Sequence, residues 1–289
     1  MHKLGRSITS SGADPPPCDA PPMTDVTFES LSVTHEAGVA RIELQRPDSM
    51  NALSLATGAE LRDAVVQAGE DPAVRALLIT GAGRGFSSGA DLKDPNPRLT
   101  PEGKLDLGRA LREVFNPTIL ALREMPKLAV AAVNGPAVGV GCSIALACDF
   151  VVASRSAYFL MAFVNVGLVF DGGASVLLPG RIGMTRATEF AMLGDRVPAE
   201  QAAEWGMVNQ VVDDGELDPV ATALAERLAT GAPMAQAAMK RMLNRRDYAG
   251  LAEALELEAD LQARQAEAPE FLEGVSAFLQ KRPPDFTRL

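Results

Sequence analysis

Histidine is nearly missing from this 289-residue chain: His2 and His35 are its two. Acid–base chemistry therefore falls to carboxylates or to His35 alone, because His2 lies in a terminal tail. Cysteine is almost as scarce. Cys18, Cys142 and Cys148 make no disulfide framework and lack metal-ligand spacing, which fits a reduced, cytoplasmic setting with no metal. Basic residues are the minority, 27 Lys and Arg against 37 Asp and Glu, for a net charge of −10. That balance argues against a nucleic-acid partner, yet allows a local basic patch facing a small anion.

Other absences bound the class of protein. The first 22 residues are rich in Pro, Ser and Gly and have no apolar h-region, so no signal peptide is expected. Residues 1–25 read as a disordered extension, with Met23 as a second candidate start. The run Leu128–Cys148 has no charge and the length of a membrane span. Asn134, Pro136 and three glycines divide it into strand, loop and helix, and no membrane partner is expected.

What is present is a large core, with 47% hydrophobic residues, arranged as an α/β pattern. Thr27–Thr34 and Val39–Gln45 alternate like a hairpin around His35–Gly38. Leu53–Gly69 and Leu105–Arg123 carry helical spacing, and Val74–Thr80, Leu128–Val133 and Phe150–Ala153 read as strands. From Ile182 onward the texture is helical apart from Val208–Val212. The pattern predicts a β/α core over 26–205 and a helical lid and assembly region over 206–289.

Two glycine-rich loops follow strands and lead into candidate helices: Gly81-Ala-Gly-Arg-Gly-Phe-Ser-Ser-Gly-Ala-Asp-Leu92 and Asn134-Gly-Pro-Ala-Val-Gly-Val-Gly-Cys-Ser143. Glycine lets bare backbone N–H groups approach a ligand, and a helix start adds unpaired donors. Two such loops can aim two N–H groups at one oxygen, the arrangement that stabilises an oxyanion. Three familiar motifs fail. Phe86 replaces the third glycine of a dinucleotide fingerprint, and no Gly-Lys-Ser/Thr follows either loop. Gly85-Phe-Ser-Ser-Gly89 matches a nucleophile elbow, but no histidine follows to act as its base.

Between Arg155 and Arg181 one charged residue stands, Asp171, in Val166-Gly-Leu-Val-Phe-Asp-Gly-Gly-Ala-Ser175. Burial in such a stretch raises a carboxyl pKa, so the group can accept and return a proton near neutrality. Taken in isolation, the commoner reading makes Asp171 the N-cap of the helix that follows, a role compatible with the first.

These segments resemble the crotonase, or enoyl-CoA hydratase/isomerase, superfamily from about residue 27 to the C-terminus. The resemblance rests on Arg46-Pro-Asp-Ser-Met-Asn-Ala-Leu53, Gly85–Leu92, Ala132–Cys142, the segment around Asp171, and the ending Glu273–Phe286. It implies a crotonase-like spiral of repeated ββα units with a helical C-terminal region, assembled as a homotrimer or a dimer of trimers. It also implies an acyl-CoA thioester as substrate, with no cofactor beyond that CoA. The backbone N–H groups of Ala90 and Val140 would hold the thioester oxygen, flanked by Ser88, Asp91, Leu92 and Gly141. Phe163 would help exclude water, and Arg84, Lys93 and Lys281 could meet CoA phosphates. The two glutamates of a family hydratase fall here on Ser143 and Phe163, whereas Asp171 falls where the isomerase branch carries its acid. The resemblance thus points to a 3,4 to 2,3 double-bond shift. Hydration, ring-type isomerisation and non-catalytic acyl-CoA binding are the alternatives.

Overall fold

The computed structural model describes residues 28–289, so the terminal extension, Thr27, His2, Cys18 and Met23 lie outside the described residues. The chain opens with β1 (Leu31–Glu36) and β2 (Val39–Leu44), antiparallel, with Leu31 opposite Leu44 and Glu36 opposite Val39. Ala37 and Gly38 both have positive φ, the two-residue turn whose twist suits a hairpin. After α1 (Leu55–Glu70) the strands β3 (Ala76–Gly81), β4 (Leu128–Val133), β6 (Phe150–Ser154) and β9 (Gln210–Val212) add in parallel. The sheet order is β1-β2-β3-β4-β6-β9.

β3 and β4 are apolar almost throughout because both faces are covered. The period of two sorts their side chains into two cores. Leu77, Ile79, Ala129, Ala131 and Val133 face the main cluster, which includes Leu61, Val65, Ile119 and Leu122. Ala76, Leu78, Val130 and Ala132 face Leu217, Ala221 and Ala225 of α7 (Leu217–Ala229).

Each turn of the chain also leaves a short second strand. Leu53 bridges Ala90, Ser87 bridges Ala137, and β5 (Ala137–Val138), β7 (Tyr158–Leu160) and β8 (Val197–Pro198) form a second sheet. This stacking of one long and one short strand per turn is the expected ββα spiral. Elements beyond residue 205 complete the main sheet, since β9 pairs with β6 and α7 packs on β3 and β4. The core therefore continues past residue 205 to the end of α7, because the sheet is incomplete without its last strand.

The stretch read as a helix over Leu105–Arg123 is helical without a break from Leu107 to Glu124, as α2 (Leu107–Ala110), a π-turn at Leu111–Phe115 and α3 (Asn116–Glu124). Pro117 has no N–H to give the Glu113 carbonyl, which accepts from Arg62 Nη1 at 2.9 Å instead. Further on come α4 (Val140–Ala147), α5 (Ala174–Leu193, kinked at Gly183) and α6 (Ala199–Glu204). The C-terminal region holds α8 (Pro233–Asp247), α9 (Leu251–Gln265) and α10 (Pro269–Leu279). No helix among the described residues is long and apolar enough to cross a membrane.

Candidate active site

The first glycine loop is held by side chains of the Arg46–Leu53 segment. Asn51 Nδ2 donates to the carbonyls of Ala82 (2.9 Å) and Gly85 (2.7 Å), and its Oδ1 accepts from Arg46 N–H. From the other side Asn134 Nδ2 donates to the carbonyls of Gly81 and Gly83. Close packing explains two of the glycines. A Cβ on Gly89, at φ 88°, would lie 2.7 Å from the Val138 carbonyl oxygen, and one on Gly135 would strike the Arg84 carbonyl.

This packing leaves two N–H groups, on adjoining backbones, without a main-chain acceptor. Leu53 N–H donates to the Gly89 carbonyl and Asp91 N–H to the Leu53 carbonyl. In that parallel bridge the N–H of Ala90 points away from Leu53, and Ala90 itself is exposed. Val140 is the first residue of α4, where an N–H has no intrahelical acceptor. The N-terminal dipole of α4 adds positive potential there. Gly89 packs against Val138 and Gly139, so the two donors belong to adjoining backbones.

The Asp171 segment packs against α4. Its main-chain oxygen accepts from Ser143 Oγ at 2.8 Å, and a Cβ on Gly172 would meet Ser143 Cβ at 2.7 Å and Val140 Cγ2 at 3.6 Å. Ser143 is thus fully buried against 171–172. The Asp171 side chain is 7% exposed. Gln262 Nε2 donates to Oδ2 at 3.0 Å, while Oδ1 is buried with no partner among the described residues. Burial first, and the neighbouring Glu258 second, push its pKa up from 3.8 to about 7, against the smaller opposing effect of the Gln262 hydrogen bond.

The N-cap reading of Asp171 does not hold. The helix begins after Gly173, in left-handed conformation, with no side-chain cap from its own segment. Glu258 of α9 satisfies that helix end from across the fold, accepting from Gly173 N–H at 2.7 Å and Ser175 N–H at 2.9 Å. Nor is Asp171 a solitary acid, since Glu258 is 3% exposed and its own pKa is raised, chiefly by burial. Glu258 and Gln262 are residues that the sequence reading missed. Their signal was available: both fall on the buried stripe Leu251, Leu255, Glu258, Ala259, Gln262 of α9.

The other expected residues divide. The ring of Phe163 lies 3.6 Å from where a Cβ of Gly139 would be, beside the first turn of α4. Gly141 backs onto Ser87, with no space for a side chain, and Leu92 is partly exposed at the loop exit. Ser88 and Asp91, expected to touch substrate, have their polar groups engaged within the fold. The Ser88 hydroxyl donates to the Ser49 carbonyl at 3.0 Å, and Asp91 pairs with Arg46 at 3.0 Å and accepts from Lys93 N–H. Both groups already have partners that brace the loop. Arg84 and Lys281 are exposed, and no contact among the described residues ties either to Asp171. A cavity of about 850 Å³ lies elsewhere, between α3, α8 and α9, lined by Arg123, Lys240, Asn244 and Tyr248.

Known proteins resemble this chain over nearly its whole described length. The enoyl-CoA hydratase/isomerase family profile matches residues 34–288. The chain belongs to that family. It is an acyl-CoA-processing enzyme of the crotonase superfamily, with the fold that membership entails. It is 43% identical to 1,2-epoxyphenylacetyl-CoA isomerase of Escherichia coli, over 87% of this chain and 96% of that protein. It is 36% identical to the trans-2-decenoyl-[acyl-carrier-protein] isomerase of Streptococcus mutans, over 90% and 98% of the two chains. Among solved structures, an enoyl-CoA hydratase from Mycobacterium avium subsp. paratuberculosis superposes with a TM-score of 0.82 at 38% identity, covering 90% of this chain and 99% of that one. Crotonase relatives with both isomerase and hydratase names thus share the fold.

Proposed function

We propose that this crotonase shifts a double bond of an enoyl-CoA from the 3,4 to the 2,3 position, with Asp171 as the single proton shuttle. The observation that carries the reading is one buried carboxyl with a free oxygen, on a segment packed against the first turn of α4, and no second buried free carboxyl among the described residues. The thioester oxygen accepts from Ala90 N–H and Val140 N–H, which makes the α-proton acidic by stabilising the enolate. Asp171 Oδ1 takes that proton, the electron pair spreads into a dienolate, and the same oxygen returns the proton to the γ-carbon. A carboxyl that titrates at about 7 serves both steps at neutral pH.

Hydration needs a second group to activate water. The positions that correspond to the two hydratase acids hold Ser143, closed against Asp171, and buried Phe163. Glu258 does not replace them, because both its oxygens accept backbone N–H bonds behind Asp171. A ring-bearing acyl group is the second reading, favoured by the 43% identity to an epoxyphenylacetyl-CoA isomerase. The exposed apolar residues Met184, Met192 and Leu193 on α5 and Met234, Met242 and Leu243 on α8 support self-association, for which the family resemblance implies a homotrimer or dimer of trimers. Incubation with 3-enoyl-CoA and 2-enoyl-CoA, products resolved by chromatography, tests the chemistry. The expected outcome is interconversion of the two; a 3-hydroxyacyl product formed as fast or faster refutes it.

A further inference from the structure

The isomerase reading leaves α9 without a role, yet α9 supplies the one side-chain hydrogen bond that the Asp171 carboxyl makes among the described residues. Gln262, one turn beyond Glu258, is 2% exposed. Its Nε2 donates twice, to the Val169 carbonyl at 2.8 Å and to Asp171 Oδ2 at 3.0 Å. The Val169 carbonyl needs a donor, which sets the amide nitrogen toward it and leaves Oε1 buried without a partner among the described residues. Gln262 thereby ties the backbone two residues before the acid and one oxygen of the acid to a single group. Rotation of the carboxyl would break that bond, and the main-chain oxygen on the other side is held by Ser143.

We propose that Gln262 is a positioning residue for the reaction, an amide clamp that fixes Oδ2 of Asp171 and thereby presents Oδ1 to the substrate. The inference rests on Asp171 being the proton shuttle. A proton carried from the α- to the γ-carbon must start and finish on an oxygen of fixed location, and a misplacement near 1 Å costs about 100-fold. The clamp also favours the ionised acid, because donation to a carboxylate stabilises its charge. Among the titratable groups on the elements packed around Asp171, Glu258 is the one whose charge raises its pKa. Arg112 pairs with Glu256 and Asp260 on the outer face of α9, and Cys142 on α4 is buried, with its thiol pushed up to about 12.

Gln262→Met keeps the length of the side chain and removes both donors. The expected result is a kcat for double-bond transfer lower by roughly 10- to 100-fold, a KM for the CoA ester changed less than about threefold, and an acid limb moved to higher pH. Difference infrared titration of the carboxyl band, assigned with Asp171→Asn, reads the same shift in protein that turns nothing over. A wild type inactive on enoyl-CoA would therefore refute the isomerisation while the infrared titration still judges the clamp. An unmoved carboxyl titration in Gln262→Met overturns the clamp, as does an unmoved limb with unchanged kcat. If Gln262→Met does not fold, Gln262→Glu decides: a proton shared with Asp171 must move the band upward in pH, and an unmoved band overturns the proposal.

Discussion

Two aspartates, Asp171 buried and Asp149 with a side chain 9% exposed, show how one molecule treats the same side chain in opposite ways. Asp149 lies at the starting ends of β4 and β6, away from the glycine loops. Its oxygens accept from Lys240 Nζ at 2.9 Å, Arg123 Nη1 at 3.1 Å and Ala129 N–H at 2.9 Å. The two cations also donate to carbonyls near the ends of α3 and α4, Leu122 and Ala147, where helix dipoles are negative. Asp171 lies beyond the finishing ends of the strands, with an acid as its charged neighbour, one hydrogen bond and one free oxygen. Full partnership makes an acid part of the scaffold. Incomplete partnership leaves Asp171 with an oxygen free for proton transfer, and the proposed shuttle role rests on that difference.

The contrast is sharpest if both residues become asparagine. Asp171→Asn is expected to lower kcat/KM by about 10²–10⁴-fold, the usual range for a general acid–base group, with affinity for a CoA thioester kept. Wild-type turnover by the Asp171→Asn enzyme would break the distinction outright. Asp149→Asn should act on folding instead. It leaves Arg123 and Lys240 without their carboxylate, and breaking a buried ion pair costs about 3–5 kcal/mol. Denaturant unfolding measures that loss, while activity per folded molecule stays near wild type.

Sequence made some of this contrast legible and hid the rest, for physical reasons. Asp171 stood out because a charge within an apolar stretch is visible without a structure. The strands of the main sheet and the two loops were also readable, since their periodicity and glycines are local signals. Asp149, Glu258 and Gln262 were not singled out, because their partners come from elements far along the chain. The π-turn at Leu111–Phe115 needed Pro117 to be read together with Arg62, a distant donor. Ser88 and Asp91 belong to a family motif, and only their hydrogen bonds reveal that the motif there braces a loop.

The oxyanion donors extend the comparison to backbone. Proline is tolerated at the first position of a helix, where the N–H has no intrahelical acceptor. Val140→Pro therefore removes one donor while α4 persists. The expected loss is on the order of 10²–10³ in kcat/KM, with helical circular dichroism unchanged. Activity within about tenfold of wild type would remove Val140 from the hole.

The smallest expected effect is on stability, and it has opposite sign at the two aspartates. In the unfolded chain Asp171 ionises near 3.8; in the folded protein it keeps its proton to about 7. The folded state binds the extra proton between those values, so this contribution is fully present below pH 3.8 and drains away as pH rises to about 7. Above that, burial of the charge costs at most about 4 kcal/mol relative to a neutral side chain. Asp171→Asn should therefore melt higher than wild type at about pH 8, by roughly 2–4 °C for each kcal/mol recovered, and lose that advantage near pH 4. The same equilibrium should give kcat/KM of the wild type an acid limb at about 7, because proton abstraction needs the carboxylate. Thermal unfolding at about pH 8 in which wild type equals or exceeds Asp171→Asn would mean that Asp171 is as well satisfied as Asp149, and the free oxygen would lose its meaning.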